Sequence, residues 1–151
     1  MDRIDVSILS ILQKNGQTSM SKLSEMVGLS LSACHRRVKI LESEGKIASY
    51  AARLDAKAVG LEIQVFIEVK LTSQRQEEID AFESAIKRMP EVLECHFISG
   101  EADYLMRVAA RSTSDYERLY RGRLSQLPSV SQMKTLLSLS AVKEFEGYHL
   151  G

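Results

Sequence analysis

The stretch SMSKLSEMVGLSLSACHRRVKILESEG, residues 19–45, decides how the first third of this chain folds. Ser19 has the side chain to cap a short helix that carries Met20, Leu23, Met26 and Val27 on one side. Gly28 then supplies the backbone freedom for a tight turn, and Ser30 is placed to cap a longer helix from 31 to about 44, stopped by Gly45. Helix, four-residue turn, helix is the spacing of a helix-turn-helix. Upstream, Asp2 is a candidate cap for a first helix with Ile4, Ile8, Ile11 and Leu12 at helical spacing, which Asn15-Gly16 would end. The residues after Gly45, 47–54, can extend as a strand, which would make the unit a winged three-helix domain.

At about 100° per residue the third of these helices divides into two faces. Leu31, Cys34, Val38 and Leu41 fall in one narrow apolar stripe, predicted to face the first two helices. Cys34 then reads as small core filling. Adjacent His35 diverges from it around the helix, so the two do not form a metal pair. Ser32, Arg36, Lys39 and Ser43 lie opposite the stripe, with His35 and Arg37 on its flanks and no acid before Glu42. A polar, basic helix face suits the major groove, where Arg meets guanine acceptors and Ser or His bonds to base edges. The groove residues are therefore expected to be Ser30, Ser32, His35 and Arg36, with Lys39 on a neighbouring phosphate. Lys22 stands in the first turn of the second helix, where the helix dipole disfavours a cation and a Glu would complete a capping box. It either costs a few tenths of a kcal/mol or contacts a phosphate.

The charge balance agrees with this division. The whole chain has 20 Lys and Arg against 20 Asp and Glu, yet residues 1–60 carry a net +3 and residues 61–151 a net −3. The basic part is the one predicted to meet a polyanion.

Beyond residue 61 the apolar period changes from helical to alternating. Ile63, Val65, Ile67, Val69 and Leu71 alternate with Gln64, Phe66, Glu68 and Lys70, the pattern of a strand with one buried face. A helix follows with Ile79, Phe82, Ile86 and Met89 on one stripe, closed by Pro90. Strands at 92–99 and 103–110 flank a short hairpin. A second helix is expected from Ser114, with Glu117 completing a capping box, and a last strand over 130–142. The order β-α-β-β-α-β is the ferredoxin-like arrangement, an antiparallel sheet with both helices on one face. Phe66, Ile98, Leu105 and Leu136 are expected on the other face, where a second copy of the chain would cover them. The fold class is thus α+β. Residues 1–54 are expected to form a helix-turn-helix DNA-binding domain, 55–61 a linker, and 62–151 a ferredoxin-like oligomerisation domain.

Several functional classes find no support. His35, His96 and His149 are scattered, and Cys95 and His96 point to opposite faces of a strand. No glycine loop for phosphate and no carboxylate pair stands out, so neither catalysis nor a metal or other cofactor is expected. Two cysteines are too few for a disulfide framework. The N-terminus has neither a basic start nor an apolar run, and no membrane span is present, so a cytoplasmic protein is expected.

The chain resembles the Lrp/AsnC family, the leucine-responsive or feast/famine regulators, over nearly its whole length. The resemblance is carried by MDRIDVSIL (1–9), LQKNGQTS (12–19), LSEMVGLS (23–30) and CHRRVKILESEGKIASY (34–50), and then by ECHFISGEADYLMRV (94–108) and RLSQLPSV (123–130). It implies a helix-turn-helix at about residues 20–39, double-stranded DNA as partner, and a C-terminal domain that forms homodimers and often octamers or discs. It also implies a small effector, mostly an amino acid, bound between subunits near Ser99, Gly100, Glu101, Asp103 and Tyr104, with Thr135, Leu136 and Leu137 lining the same region. The residues give this loop a reason of their own. Gly100 permits positive φ and exposes backbone N–H groups to an effector carboxylate, and Glu101 or Asp103 can pair with its ammonium. Two departures from the family pattern are Ser129, where relatives usually have Gly in a Leu-Pro-Gly-Val turn, and Lys22, where an acid is commoner. An architectural protein that organises DNA without a ligand uses the same basic helix and remains the alternative.

Overall fold

The computed structural model describes all of residues 1–151. The chain divides into two compact units, one of residues 1–53 with 142–151, the other of residues 54–141.

The first unit holds α1 (Arg3–Lys14), α2 (Met20–Val27) and α3 (Leu31–Ser43). Each starts on a capping side chain that the sequence announces: Asp2 accepts from the Asp5 N–H, Ser19 from that of Lys22, and Ser30 from that of Ala33. Asp5 returns the bond to the Asp2 N–H, completing a capping box. Ile8, Leu12, Leu23, Cys34, Val38 and Leu41 form the buried core of this unit. Leu31, expected in the same stripe, is 55% exposed. It is the first residue of α3 and so sits at the end of the apolar seam. Residues 47–54 form no strand. Residues 142–151 cluster with α1–α3.

The second unit is a four-stranded antiparallel sheet, β1 (Ile63–Leu71), β2 (Val92–Phe97), β3 (Tyr104–Ala110) and β4 (Val130–Ser138), in the order β2-β3-β1-β4. Val65, Ile67 and Val69 of β1 pair in register with Val108, Met106 and Tyr104 of β3. All six point into a core closed by Phe82, Ile86 and Met89, which lie in or just beyond α4 (Gln76–Lys87). Tyr116, Leu119 and Tyr120 of α5 (Thr113–Gly122) pack against the same core. α5 begins earlier than its Ser114-Glu117 pattern predicts. Ser112 is the cap and accepts from the Asp115 N–H, while Asp115 itself accepts from the Arg111 N–H, so a carboxylate two residues earlier takes the place expected of Glu117.

A 3-10 turn (Leu124–Gln126) leads into Pro128 and Ser129, and Ser129 is the one non-glycine residue with positive φ, at 63°. Its carbonyl accepts from the Thr72 N–H, at 2.8 Å, which fixes the turn against the end of β1. A β-carbon in the left-handed region costs roughly 1 kcal/mol. Ser129→Gly is therefore expected to raise the stability of this unit by about 0.5–1 kcal/mol, read as a higher urea midpoint at unchanged slope. A midpoint at or below that of the parent would show that the serine is held there by contacts worth more than its strain.

Candidate nucleic-acid interface and effector region

The turn between α2 and α3 is closed by Gly28, at φ 68° and ψ 35°. The Leu29 N–H donates to the Ser24 carbonyl at 2.9 Å, which satisfies one of the orphaned carbonyls of α2. This geometry fixes the angle at which α3 leaves the three-helix core. Neither α2 nor α3 has an acidic residue in its first turn, so both present the positive end of the helix dipole uncompensated.

On α3, Ser32, His35, Arg36 and Lys39 are all exposed. Arg36 has no ion-pair or hydrogen-bond partner within the chain. Lys39 donates to the Glu42 carboxylate at 2.8 Å, and Glu42 also accepts from the Tyr50 hydroxyl at 3.1 Å. The Lys39 bond is the larger cause holding the Glu42 carboxyl below its ordinary pKa. Ser30 spends its hydroxyl oxygen on the helix cap and lies 3.4 Å from the Ser32 hydroxyl. Lys22 is exposed with an unpaired ammonium, its backbone N–H donating to Ser19.

Arg37 behaves differently from its neighbour. Its Nη1 donates to Asp2 Oδ2 at 2.6 Å and to Asp5 Oδ1 at 2.7 Å, tying α3 to the start of α1. Backbone N–H bonds first, and this guanidinium second, hold the Asp2 carboxyl below its ordinary pKa, and the Asp5 carboxyl is lowered by its own backbone bond and by Arg37. The sequence reading placed Arg37 on a flank and missed this anchor. The spacing of Asp2 and Asp5, two acids one turn apart at a helix start, was the signal. Cys34 is fully buried beneath the same face, and burial raises its thiol pKa.

In the second unit the expected effector loop splits into exposed and buried members. Ser99, Gly100 and Glu101 are exposed, with Gly100 at φ 130°. Asp103 is 8% exposed and its carboxylate is fully engaged. The Leu71 N–H donates to Oδ2 at 2.8 Å and Gln74 Nε2 donates to Oδ1 at 3.0 Å. Asp103 therefore pins the hairpin to the end of β1 and is not free to meet an ammonium group, contrary to expectation. Tyr104 is 2% exposed, with its ring between Phe82 and Phe97 and its hydroxyl donating to Glu83 at 3.0 Å. Burial and the Glu83 carboxylate push its pKa well up, and burial likewise pushes the Cys95 thiol up to about 11. Tyr104 is a core residue.

Thr135, Leu136 and Leu137 lie on β4 opposite Ile67, Phe66 and Val65. β1 thus separates them from β3 and the hairpin. Thr135 shares a hydrogen bond with the Tyr116 hydroxyl at 2.9 Å on the helix side, whereas Leu136 pairs with Phe66 on the open side. One chain does not bring the exposed loop and these three residues into a single cavity. A cavity of about 500 Å³ beside Gln13 and Tyr148 and another of about 650 Å³ on α5 both lie away from the hairpin.

The open sheet face carries Phe66 at 36% and Leu136 at 38% exposure, with Leu105 and Ile98 half-buried. Among them Arg107 donates to Glu94 at 2.6 Å and to Gln64 at 3.3 Å, and its Nε is buried without a partner. No helix of the chain is long and apolar enough to cross a membrane.

Comparison with known proteins places these surfaces in a family. Residues 1–48 match the winged helix-turn-helix DNA-binding family model, and residues 64–148 match that of the Lrp/AsnC ligand binding domain. The chain is 38% identical to the proline dehydrogenase transcriptional activator of Rhizobium radiobacter over 95% of its length and 92% of that protein's. It is 36% identical to the leucine-responsive regulatory protein of Escherichia coli K12, over 95% and 88% of the two chains. Among solved structures, a transcriptional regulator from Neisseria meningitidis in complex with L-Met superposes with a TM-score of 0.91 at 33% identity, covering 95% of this chain and 93% of that one. An AsnC family regulator from Agrobacterium tumefaciens superposes at 0.94 with 29% identity, over 99% and 97%. These relatives are regulators and not enzymes, and with both halves of the chain matched in order, this protein belongs to the Lrp/AsnC family of DNA-binding transcriptional regulators.

Proposed function

We propose that this protein is a cytoplasmic regulator that reads DNA through the exposed face of α3 and is modulated by a free amino acid bound between subunits. The observation that carries the DNA half is the contrast between two adjacent arginines: Arg37 is turned inward onto Asp2 and Asp5, while Arg36 stands in solvent without a partner. In this reading Ser32, His35 and Arg36 meet base edges, Ser30 stays mainly a cap, and Lys39 and Lys22 meet phosphates.

The effector half rests on three supports. A neighbouring structure holds L-Met. The loop of Ser99, Gly100 and Glu101 presents backbone N–H groups and a solvent-exposed carboxylate, the two partners a zwitterion needs. Because β1 separates this loop from Thr135, Leu136 and Leu137, a site using both sets takes them from different subunits. Glu101 replaces Asp103 as the proposed ammonium partner. Homodimerisation through the open sheet face would cover Phe66 and Leu136, and octamers would follow from pairing of dimers.

The reading is tested by titrating a duplex selected by the wild-type protein from a random pool, alone and with each of the twenty amino acids. A shift in apparent affinity of about fivefold or more with at least one amino acid is expected, the range of ordinary allosteric coupling. DNA binding unchanged by all twenty would reject the effector half and favour ligand-independent organisation of DNA. No selected duplex at all would reject the DNA half.

A further inference from the structure

The last ten residues fold back onto the unit that holds α1–α3. Gln13, on the last turn of α1, meets Tyr148 through both ends of its amide. Its Nε2 donates to the Tyr148 carbonyl at 2.8 Å, and the Tyr148 N–H donates to its Oε1 at 2.8 Å. The side chain thus pairs with both backbone groups of one residue, as a neighbouring strand would. Gly147 makes this approach possible. Its φ is +119°, and a β-carbon there would fall 2.6 Å from Gln13 Oε1 and 2.7 Å from Gln13 Cδ. The rings of Phe145 and Tyr148 meet edge to face at 5.0 Å. The chain leaves this unit after Arg53 and re-enters at Val142, and the two crossings are joined where Arg53 donates to Glu144 at 3.0 Å.

We propose that residues 144–150 are a strap which docks on the end of α1 and gives the DNA-binding unit a second covalent tether, restricting its reorientation. A unit joined through one linker alone keeps a twist about that linker. A second attachment removes the twist about that linker, so the recognition helices of a dimer are held to a narrow range of half-site spacings. Release of the strap widens that range. The spacing consequence rests on the proposed DNA reading, whereas the docking does not.

Two measurements on the full chain test the strap separately from that reading. Hydrogen exchange of the wild type should show the Tyr148 amide protected, and Gly147→Ala or Gln13→Ala should each lower that protection by about tenfold, as expected for loss of this bond pair. Gly147 lies outside every helix and Gln13 is exposed, so neither change opens the core. The double variant should equal either single one, because both remove the same contact. A Tyr148 amide that exchanges freely in the wild type, or singles whose effects add, would overturn the docking. Affinity for the selected duplex and for versions with one or two base pairs added between half-sites should fall less steeply in both variants than in the wild type. Identical profiles would overturn the restraint while leaving the docking standing.

Discussion

Arg36→Ala is expected to lower affinity for the selected duplex roughly 5- to 150-fold, the equivalent of about 1–3 kcal/mol for one bidentate base contact. Folding and assembly should be untouched, because the guanidinium has no partner within the chain and its residue is exposed. Arg37→Ala makes the useful contrast. It frees Asp2 and Asp5 and loosens the start of α1, so its effect on DNA should track a loss of stability. Lys39→Ala should weaken all sequences alike and reduce the salt dependence by about one phosphate contact, since its bond to Glu42 is a surface pair that exchanges readily for a phosphate. Mobility-shift titrations at several salt concentrations separate the three. Unchanged affinity in Arg36→Ala would mean that α3 presents a different face to the groove.

Asp103→Ala should cost about 2–3 kcal/mol of stability in the sheet unit, the second large effect expected. The substitution strips the Leu71 N–H of its acceptor in a buried position, and an orphaned buried donor carries its full desolvation cost. It also frees Gln74, whose amide loses its hold on the hairpin. Asp103→Asn retains an acceptor oxygen and should recover more than half of the loss. Urea titrations followed by circular dichroism read both changes, and equal midpoints for Asp103→Ala and the parent would show that the carboxylate is dispensable. Loss of effector binding in Asp103→Ala would therefore report a displaced hairpin. Glu101→Gln, which removes an exposed charge, is the cleaner probe of an ammonium contact.

Much of this architecture was legible because it depends on local signals. The caps at Asp2, Ser19 and Ser30 and the turn at Gly28 are set by hydrogen bonds spanning a few residues, and strand β1 by a period of two that no helix imitates. The basic face of α3 follows from the same angular argument. What escaped was long-range. That Arg37 reaches Asp2 and Asp5, 35 and 32 residues away, depends on how α1 crosses α3. Asp103 and Tyr104 looked like ligand residues because acids and phenols beside a glycine loop are commonly exposed. Their inward orientation depends on the β1–β3 register, which sets Tyr104 opposite Val69. The tail went unread for the same reason, since a lone Gln on an exposed helix turn carries no mark of a partner 135 residues away.

The complete burial of Cys34 at the centre of the three-helix core has a consequence for chemistry rather than for packing. A thiol that is both inaccessible and held in its protonated form does not meet alkylating reagents or peroxides while the unit is closed. Its modification then proceeds only through opened molecules. The rate at which Cys34 is labelled, set against that of an unfolded peptide, becomes a clock for how often the three-helix core opens. Cys34 thus reports whether the three-helix core is closed.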